Sequence, residues 1–283
     1  MSFIKELEKE YKKLEDLGAE KIVIGKTFLG REICAFAIGC GEPRILVQCA
    51  IHAREYITYY LALKYIRQLL NLDLKGKGTI YVVPVVNIDG VALVIDGEKS
   101  IKNKKVRDFV RFIGKEEYKL WKANARGVDL NVNFPARFGT GASNEFRPSS
   151  SNYVGRCAGS ESEVRALMDF TKFVKPAVVL CFHSKGEVIF YDFYQKGKQK
   201  RRDRAIAKVV SKSTGYKIRP TGKSAGGFKD WCVESLGITG ITVEVGEEKL
   251  VHPIEIDFLE KIWEKTKNVL IDLLDYFHNF KYN

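Results

Sequence analysis

The sequence predicts an α/β domain: a mixed, largely parallel central sheet flanked by helices, with its functional site beyond the C-terminal ends of the strands. Three observations carry this expectation. Apolar runs of strand length, such as Ile45 to Ile51 and Thr79 to Val86, are nearly continuous, as in strands covered on both faces. They alternate with segments whose apolar residues recur at helical spacing. The 283 residues, 45% of them hydrophobic, are enough for one substantial core, and no internal repeat, Pro-rich stretch or Gly/Ser linker marks a second domain. A single domain over residues 1–283 follows, with an N-terminal helix in 1–18 and a C-terminal helix in 253–283 packed on the same body.

Met1 to Leu17 carries Lys and Glu throughout and sets Phe3, Leu7, Tyr11 and Leu14 on one helical face. Short β-type segments follow at Lys21 to Ile24, Glu32 to Ile38 and Ile45 to Ile51, the first two separated by a turn at Leu29-Gly30-Arg31. Tyr56 to Leu70 is helical in pattern. Thr79 to Val86 reads as a strand although Pro84 is unfavourable inside a sheet. From Gly127 to Ser160 periodicity is lost and Asn, Ser, Gly and Arg accumulate, the composition of a long functional loop. Ser160-Glu161-Ser162-Glu163 has the spacing of a capping box and opens a helix with Val164, Leu167 and Phe170 on one face. Val178 to Phe182, Val188 to Phe193 and Gly240 to Val245 are further strands. Ile254 to Phe280 reads as one last helix, with Phe258, Ile262, Val269 and Leu273 inward.

Forty-seven Lys and Arg against 35 Asp and Glu give a net charge of +12, a surface suited to an acidic partner. The six cysteines show no CxxC spacing and several lie in apolar runs, so buried reduced thiols are expected. The charged N-terminal segment lacks the apolar core of an export signal, and no run approaches the ~20 apolar residues of a spanning helix. A cytoplasmic protein without membrane insertion is expected; the sequence is silent on oligomeric state. The basic runs Lys102-Asn103-Lys104-Lys105, in an expected loop, and Lys198-Gln199-Lys200-Arg201-Arg202, opening an expected helix, raise nucleic-acid binding as an alternative. Neither is interleaved with aromatics, so solvated surface is the simpler reading and no nucleic-acid partner is expected.

The sharpest chemical signal is Ala50-Ile51-His52-Ala53-Arg54-Glu55, directly after an apolar strand and directly before a helix. A His and a Glu three apart at such a junction can reach one point and offer Zn²⁺ one nitrogen and one oxygen ligand. Only four histidines exist. His183 also ends a strand, whereas His252 precedes Pro253 at a helix entry and His278 lies in the last helix, positions suited to surface or packing roles. Two histidines and Glu55 would leave a fourth position open, as in a catalytic zinc site. Such a site needs a proton acceptor, and Glu244, in the β-branched stretch Ile241 to Val245, is the candidate, with Glu247 and Glu248 as more solvated alternatives. Glu244 can also be read as an outward polar residue of an edge strand.

These residues resemble the zinc-dependent metallocarboxypeptidases. His52-Ala53-Arg54-Glu55-Tyr56-Ile57-Thr58 is similar to that family's first zinc motif, Asn87-Ile88-Asp89-Gly90 to its Asn-Pro-Asp-Gly turn, and Gly127-Val128-Asp129-Leu130-Asn131-Val132-Asn133-Phe134 to its Gly-Val-Asp-Leu-Asn-Arg-Asn-Phe segment. Phe182-His183-Ser184, Gly226-Gly227-Phe228-Lys229-Asp230-Trp231 and Thr242-Val243-Glu244 follow in family order. The resemblance implies one zinc ion on His52, Glu55 and His183, and Glu244 as the base that activates water and later protonates the leaving amine. It implies Asp129 as the acid holding the first histidine, and Arg54 and Asn131 as substrate-binding residues. Arg126, about one residue out of register, is the nearest candidate for the oxyanion-stabilising arginine.

Two departures stand out. Val132 replaces the arginine that grips a terminal α-carboxylate, and Gly222 occupies the approximate place of a mobile pocket tyrosine. Lys229 sits where side-chain preference is set, and a cation there favours a substrate carboxylate. With Lys185-Gly186-Glu187 and Ser151 to Gly155, the chain looks most like the bacterial γ-D-glutamyl-diamino acid peptidases. The implied substrate is an acidic peptide, the peptidoglycan stem peptide cut at its γ-D-glutamyl-diaminopimelate bond. Arg137 and Lys223 are further candidates for its carboxylates, and Glu187 for its amine. A zinc amidohydrolase or deacylase of acidic amino acids is the alternative enzyme.

Overall fold

Strand-length apolar runs build the sheet: β1 (Glu20–Lys26), β2 (Glu32–Cys40), β3 (Arg44–Gln48), β4 (Gly78–Val83), β5 (Val178–His183), β6 (Val188–Phe190), β7 (Lys217–Ile218) and β8 (Thr239–Glu244). The computed structural model describes residues 2–115 and 117–281; Met1, Tyr282 and Asn283, which belong to the expected terminal segments, lie outside them. The eight strands form one sheet in the order β1-β2-β4-β3-β5-β8-β6-β7. The central four, β4, β3, β5 and β8, run parallel, and the antiparallel pairs lie toward the edges, which is the mixed sheet expected.

The helices are α1 (Phe3–Asp16), α2 (Ile57–Leu70), α3 (Ile88–Asp96), α4 (Lys104–Gly114), α5 (Ser162–Val174), α6 (Gly197–Thr214), α7 (Phe228–Leu236), α8 (Leu259–Thr266) and α9 (Val269–Lys281). α1 buries Phe3, Leu7, Tyr11 and Leu14, the expected stripe, and Phe3 meets Tyr59 of α2 edge to face. α2, α8, α6 and α9 touch in series as one layer, while α5 packs on β1 and β3 and α7 on β5 and β8. The α5 contact is close: a Cβ on Gly25 would lie 2.4 Å from the Ala166 Cβ, so only glycine lets β1 approach the helix. β3 and β5 are buried at nearly every position, as strands covered on both faces must be.

Several sequence expectations are corrected. β4 stops at Val83 because Pro84 offers no ladder N–H. The strand expected to reach Phe193 stops at Phe190, where Asp192 instead gives its carbonyl to Lys229 Nζ (3.0 Å) and its carboxylate to Thr221 (2.7 Å). The single last helix is two, α8 and α9, and the Thr266 carbonyl at the break accepts the hydroxyl of buried Tyr65 (2.8 Å). Lys102 to Lys105 is not a loop throughout: Asn103 caps α4, its side chain accepting from Val106 N. Of the six cysteines, none is bonded to another, but Cys40 and Cys157 are exposed. Among the described residues no helix is long and apolar enough to cross a membrane.

The expected capping box does not form. α5 begins at Ser162, and the Ser160 hydroxyl is used by Glu161 Oε1 (2.7 Å) and by Asn133 Nδ2 (3.1 Å). Glu163 is fully buried beside Asp89 and Glu161. Burial, reinforced by those two carboxylates against the hydrogen bonds it accepts, pushes its carboxyl from the ordinary 4.5 to about 7. An acid whose folded-state pKa is raised stabilises the fold at low pH and loses that contribution as pH rises through about 7. Glu163→Gln should therefore raise the melting temperature at pH 8, by at most ~3 kcal/mol in stability, and give little or no gain at pH 5. Thermal unfolding at the two pH values checks this; an equal shift at both would contradict it.

Candidate metal and catalytic site

Because β3, β5 and β8 are adjacent and parallel, their C-terminal ends reach the same edge of the sheet. β3 is also where the winding reverses, with β4 on one side and β5 on the other, the point at which open α/β sheets leave a crevice. After β3 the chain turns through Ala50, a non-glycine residue at φ 45°, whose N–H donates to Thr58 Oγ1 (2.9 Å). This turn sends His52 and the short 3₁₀ turn Ala53–Glu55 over the sheet edge. His183 is the last residue of β5 and Glu244 the last of β8, directly opposite each other in register. β8 is an interior strand between β5 and β6, so the edge-strand reading of Glu244 is withdrawn.

Three buried side chains converge here: His52, Glu55 and His183 each bring one ligating atom within 4.8 Å of the others. His52 Nδ1 lies 2.9 Å from Glu55 Oε1, His183 Nδ1 lies 3.0 Å from Glu55 Oε2, and the two Nδ1 atoms are 3.1 Å apart. Burial opposes the charge of Glu55, yet the two imidazoles hold its carboxyl well below the usual range. The His52 imidazole is likewise shifted up, against burial, by Glu55 and Asp129. A buried pocket that favours positive charge, with two ring nitrogens and one carboxylate facing inward, fits a single Zn²⁺.

Asp129 lies behind the His52 ring. It is completely buried, and its Oδ1 lies 3.3 Å from His52 Nε2. Nε2 faces this carboxylate without a hydrogen bond of good geometry, and Nδ1 faces Glu55 and His183. The same carboxylate accepts from the N–H groups of Asn131 and Asn152 and lies 2.8 Å from Lys122 Nζ. Burial alone would raise its pKa, but Lys122 and His52 hold it far below the carboxylate range. Asn87, after β4, donates to the carbonyls of Ile51 (3.2 Å) and Ala123 (3.0 Å), tying the turn before His52 to the segment bearing Lys122.

A cavity of about 210 Å³ opens beside the triad, lined by His52, His183, Glu244, Asn131, Lys229 and Asp230 among others. Burial and the Glu55 carboxylate push Glu244 up to about 7 against the pull of His183, Lys122 and Arg54. Asn131 faces the cavity while its Oδ1 accepts from Phe228 N (3.0 Å). Gly226, at φ 84°, lets α7 begin beside this loop: a Cβ there would stand 2.6 Å from the Val132 carbonyl oxygen. Gly222 also lines the cavity. Arg54 lies close enough for its charge to act on Glu244, and its buried Nε has no hydrogen-bond partner.

The other basic and acidic candidates go elsewhere. Arg126 stacks over Phe28 with its Nε 3.7 Å from Glu161, lining a separate apolar hollow, so it is not in the triad's cavity. Arg137 pairs with Glu234 (2.9 Å) and stacks on Tyr194, and Glu187 pairs with Lys265 (2.6 Å); neither lines the cavity. Lys223 is likewise absent from its lining, whereas its neighbours Gly222 and Ser224 are present. His278 contacts the Lys77 carbonyl, and half-buried His252 lies near Arg54 and Lys185, its pKa lowered by burial. A larger surface cleft of about 1130 Å³, between α1 and residues 28–31, contains no ligating cluster among the described residues. Sequence reading missed Lys122 and Asp230: one lysine among many carries no signal, while Asp230 was in view inside the Gly226 to Trp231 motif.

If Asp129 orients His52 for metal, Asp129→Asn should weaken zinc affinity by about 10- to 100-fold with the fold retained. Competition with a chromophoric chelator measures this, and unchanged affinity would exclude the orienting role.

Comparison with known proteins agrees with this geometry. The zinc carboxypeptidase family model matches residues 1–269. The γ-D-glutamyl-L-diamino acid endopeptidase 1 of Lysinibacillus sphaericus is 32% identical over 268 residues, which is 88% of this chain and 65% of that relative's length. Among solved structures, bovine thrombin-activatable fibrinolysis inhibitor superposes with a TM-score of 0.77 at 19% identity, covering 95% of this chain and 96% of that one. Murein-tripeptide amidase from Escherichia coli O157 gives 0.62 at 21% identity, covering 92% and 94%. The match over residues 1–269, the shared fold and the His-Glu-His cluster at the strand ends make this chain a member of the zinc carboxypeptidase family.

Proposed function

We propose that this chain is a zinc peptidase that hydrolyses the γ-D-glutamyl-diaminopimelate bond of peptidoglycan stem peptides. The observation that carries the reading is the register of β5 and β8, which sets a half-buried carboxylate, Glu244, opposite a histidine of the candidate metal cluster beside a charged cavity. The Lysinibacillus relative, named for the same class of bond, supports the choice of substrate. Neither basic surface run lines this cavity, so the excess positive charge gives no specific support to nucleic-acid binding.

A zinc ion on His52, Glu55 and His183 would supply Lewis acidity toward the amide carbonyl and toward water. Glu244 accepts a proton from the attacking water and delivers it to the leaving nitrogen as the C–N bond breaks, so no covalent enzyme intermediate is required. A carboxyl raised from its ordinary value by burial and the Glu55 charge is a stronger proton acceptor than a solvated one, which suits both transfers. Arg54 does not line the cavity, but its charge acts on Glu244 and its Nε is unpaired, so it is the cation we assign to a substrate oxygen. No arginine is available to clamp a terminal carboxylate at Val132, so recognition falls to the cavity floor.

Release of diaminopimelate from L-Ala-γ-D-Glu-meso-diaminopimelate is the expected activity, and a chelator should abolish it. Glu244→Gln should lower kcat by about 10²- to 10⁴-fold while zinc content stays the same. Full activity of the chelated protein or of this variant would reject the proposal. Because Glu244 must be deprotonated to act, kcat/KM should rise with pH and level off at or below about 7, since the bound cation pulls the carboxyl down further. A rate that falls as pH rises from 5 to 7 would contradict the assignment.

A further inference from the structure

The basic run Lys102 to Lys105 has no part in the proposed reaction, and two depressions meet beside it. One is the apolar hollow next to Arg126, about 320 Å³, walled by Phe28, Val106, Phe109, Val128 and Tyr153. The other is the cleft of about 1130 Å³ between α1 and residues 28–31. Phe28 and Val106 line both, so the two form one continuous groove, and neither shares a lining residue with the cavity at the triad. Val106 and Phe109 are backed by a small core that includes Ile101, Val110 and Trp121, so the hollow is preformed. At the junction Phe28 stays 44% exposed.

Positive charge follows the groove along its whole length. Lys5, Lys99 and Lys102 line the cleft, and Lys105 and Arg156 line the hollow. All five are exposed, and none of their side chains has an ion pair among the described residues. Against them stand only Glu8 and Asp96, and Asp96 already accepts from Phe3 N (2.8 Å). Exposed cations attract an anion but hold it weakly. The hollow supplies what they lack, a place to take an aromatic ring out of water, worth about ten- to a hundredfold in affinity. Apart from the Tyr153 hydroxyl, no side chain there accepts a hydrogen bond, so the polar edge of a nucleobase would be left unpaired whereas a hydrocarbon ring would not. We propose that this groove docks an acidic peptide segment of a partner protein, with one aromatic side chain seated in the hollow and flanking carboxylates on Lys102, Lys105 and Arg156. The inference is independent of the peptidase reading.

The test is calorimetric titration of the zinc-loaded protein with acetyl-Asp-Asp-Phe-Asp-Asp-amide at low salt. Replacing the Phe of the peptide by Ala should weaken binding by about tenfold or more, and replacing its Asp residues by Asn by about tenfold. On the protein, Lys102→Glu combined with Lys105→Glu should also cost about tenfold. Lys198→Glu combined with Lys200→Glu, the same change of net charge on exposed residues of α6, should leave affinity unchanged. All four lysines are exposed, so the variants keep the fold. No binding of the Phe peptide at millimolar concentration, equal affinity of the Phe and Ala peptides, or equal weakening by the two lysine pairs would overturn the inference. An oligothymidylate of the same charge that bound more tightly through Lys102 and Lys105 would assign the groove to nucleic acid and overturn it as well.

Discussion

Taking a carboxylate wholly out of water costs several kcal/mol unless charge and hydrogen bonds replace the lost solvent. The fold does this at Asp129, and much of the site depends on it. Lys122, His52 and the N–H groups of Asn131 and Asn152 surround the two oxygens, joining the turn after β3, the segment around Lys122 and the long irregular loop. Those segments have little regular structure of their own between Gly127 and Ser160. A charge that must be satisfied from four directions gives them one arrangement, in which Nδ1 of His52 faces Glu55 and His183.

The sheet supplies the other half of the construction. Parallel neighbours end together, so residues distant in sequence, His52, His183 and Glu244, are delivered to one edge by strand register alone. A one-residue slip of β8 against β5 would turn Glu244 to the opposite face. The buried apolar residues of β3 and β5 resist such a slip, so the hydrophobic core and the chemical site rely on the same register.

Features set by local pattern were legible in the sequence. Seven of the eight strands, α1, α2 and the positions of His52, Glu55, His183 and Glu244 at or just after strand ends follow from apolar runs that stop at polar residues; β7, two residues long, has no such run and was not expected. What escaped was pairing across elements. Arg126, Arg137 and Glu187 are neutralised by Glu161, Glu234 and Lys265, partners up to 97 residues away, and nothing in the spacing announces them. The capping box at Ser160 failed for the same reason, since Asn133 reaches in from the loop and takes the hydroxyl. Lys229 was legible as a cation, but the pair it makes with its neighbour Asp230 required three dimensions.

The net charge now has a narrower meaning. Of the cations that bear on the proposed chemistry, Lys229 lines the cavity, while Lys122 and Arg54 lie outside its lining and act on Glu244 through their charge. The most direct test of the account is anomalous diffraction at the zinc edge from crystals of the zinc-loaded protein. The account predicts one ion, bound by Nδ1 of His52, Nδ1 of His183 and the carboxylate of Glu55, with Glu244 facing its open side. An ion held through Nε2 of His52, or sited away from these three residues, would contradict it.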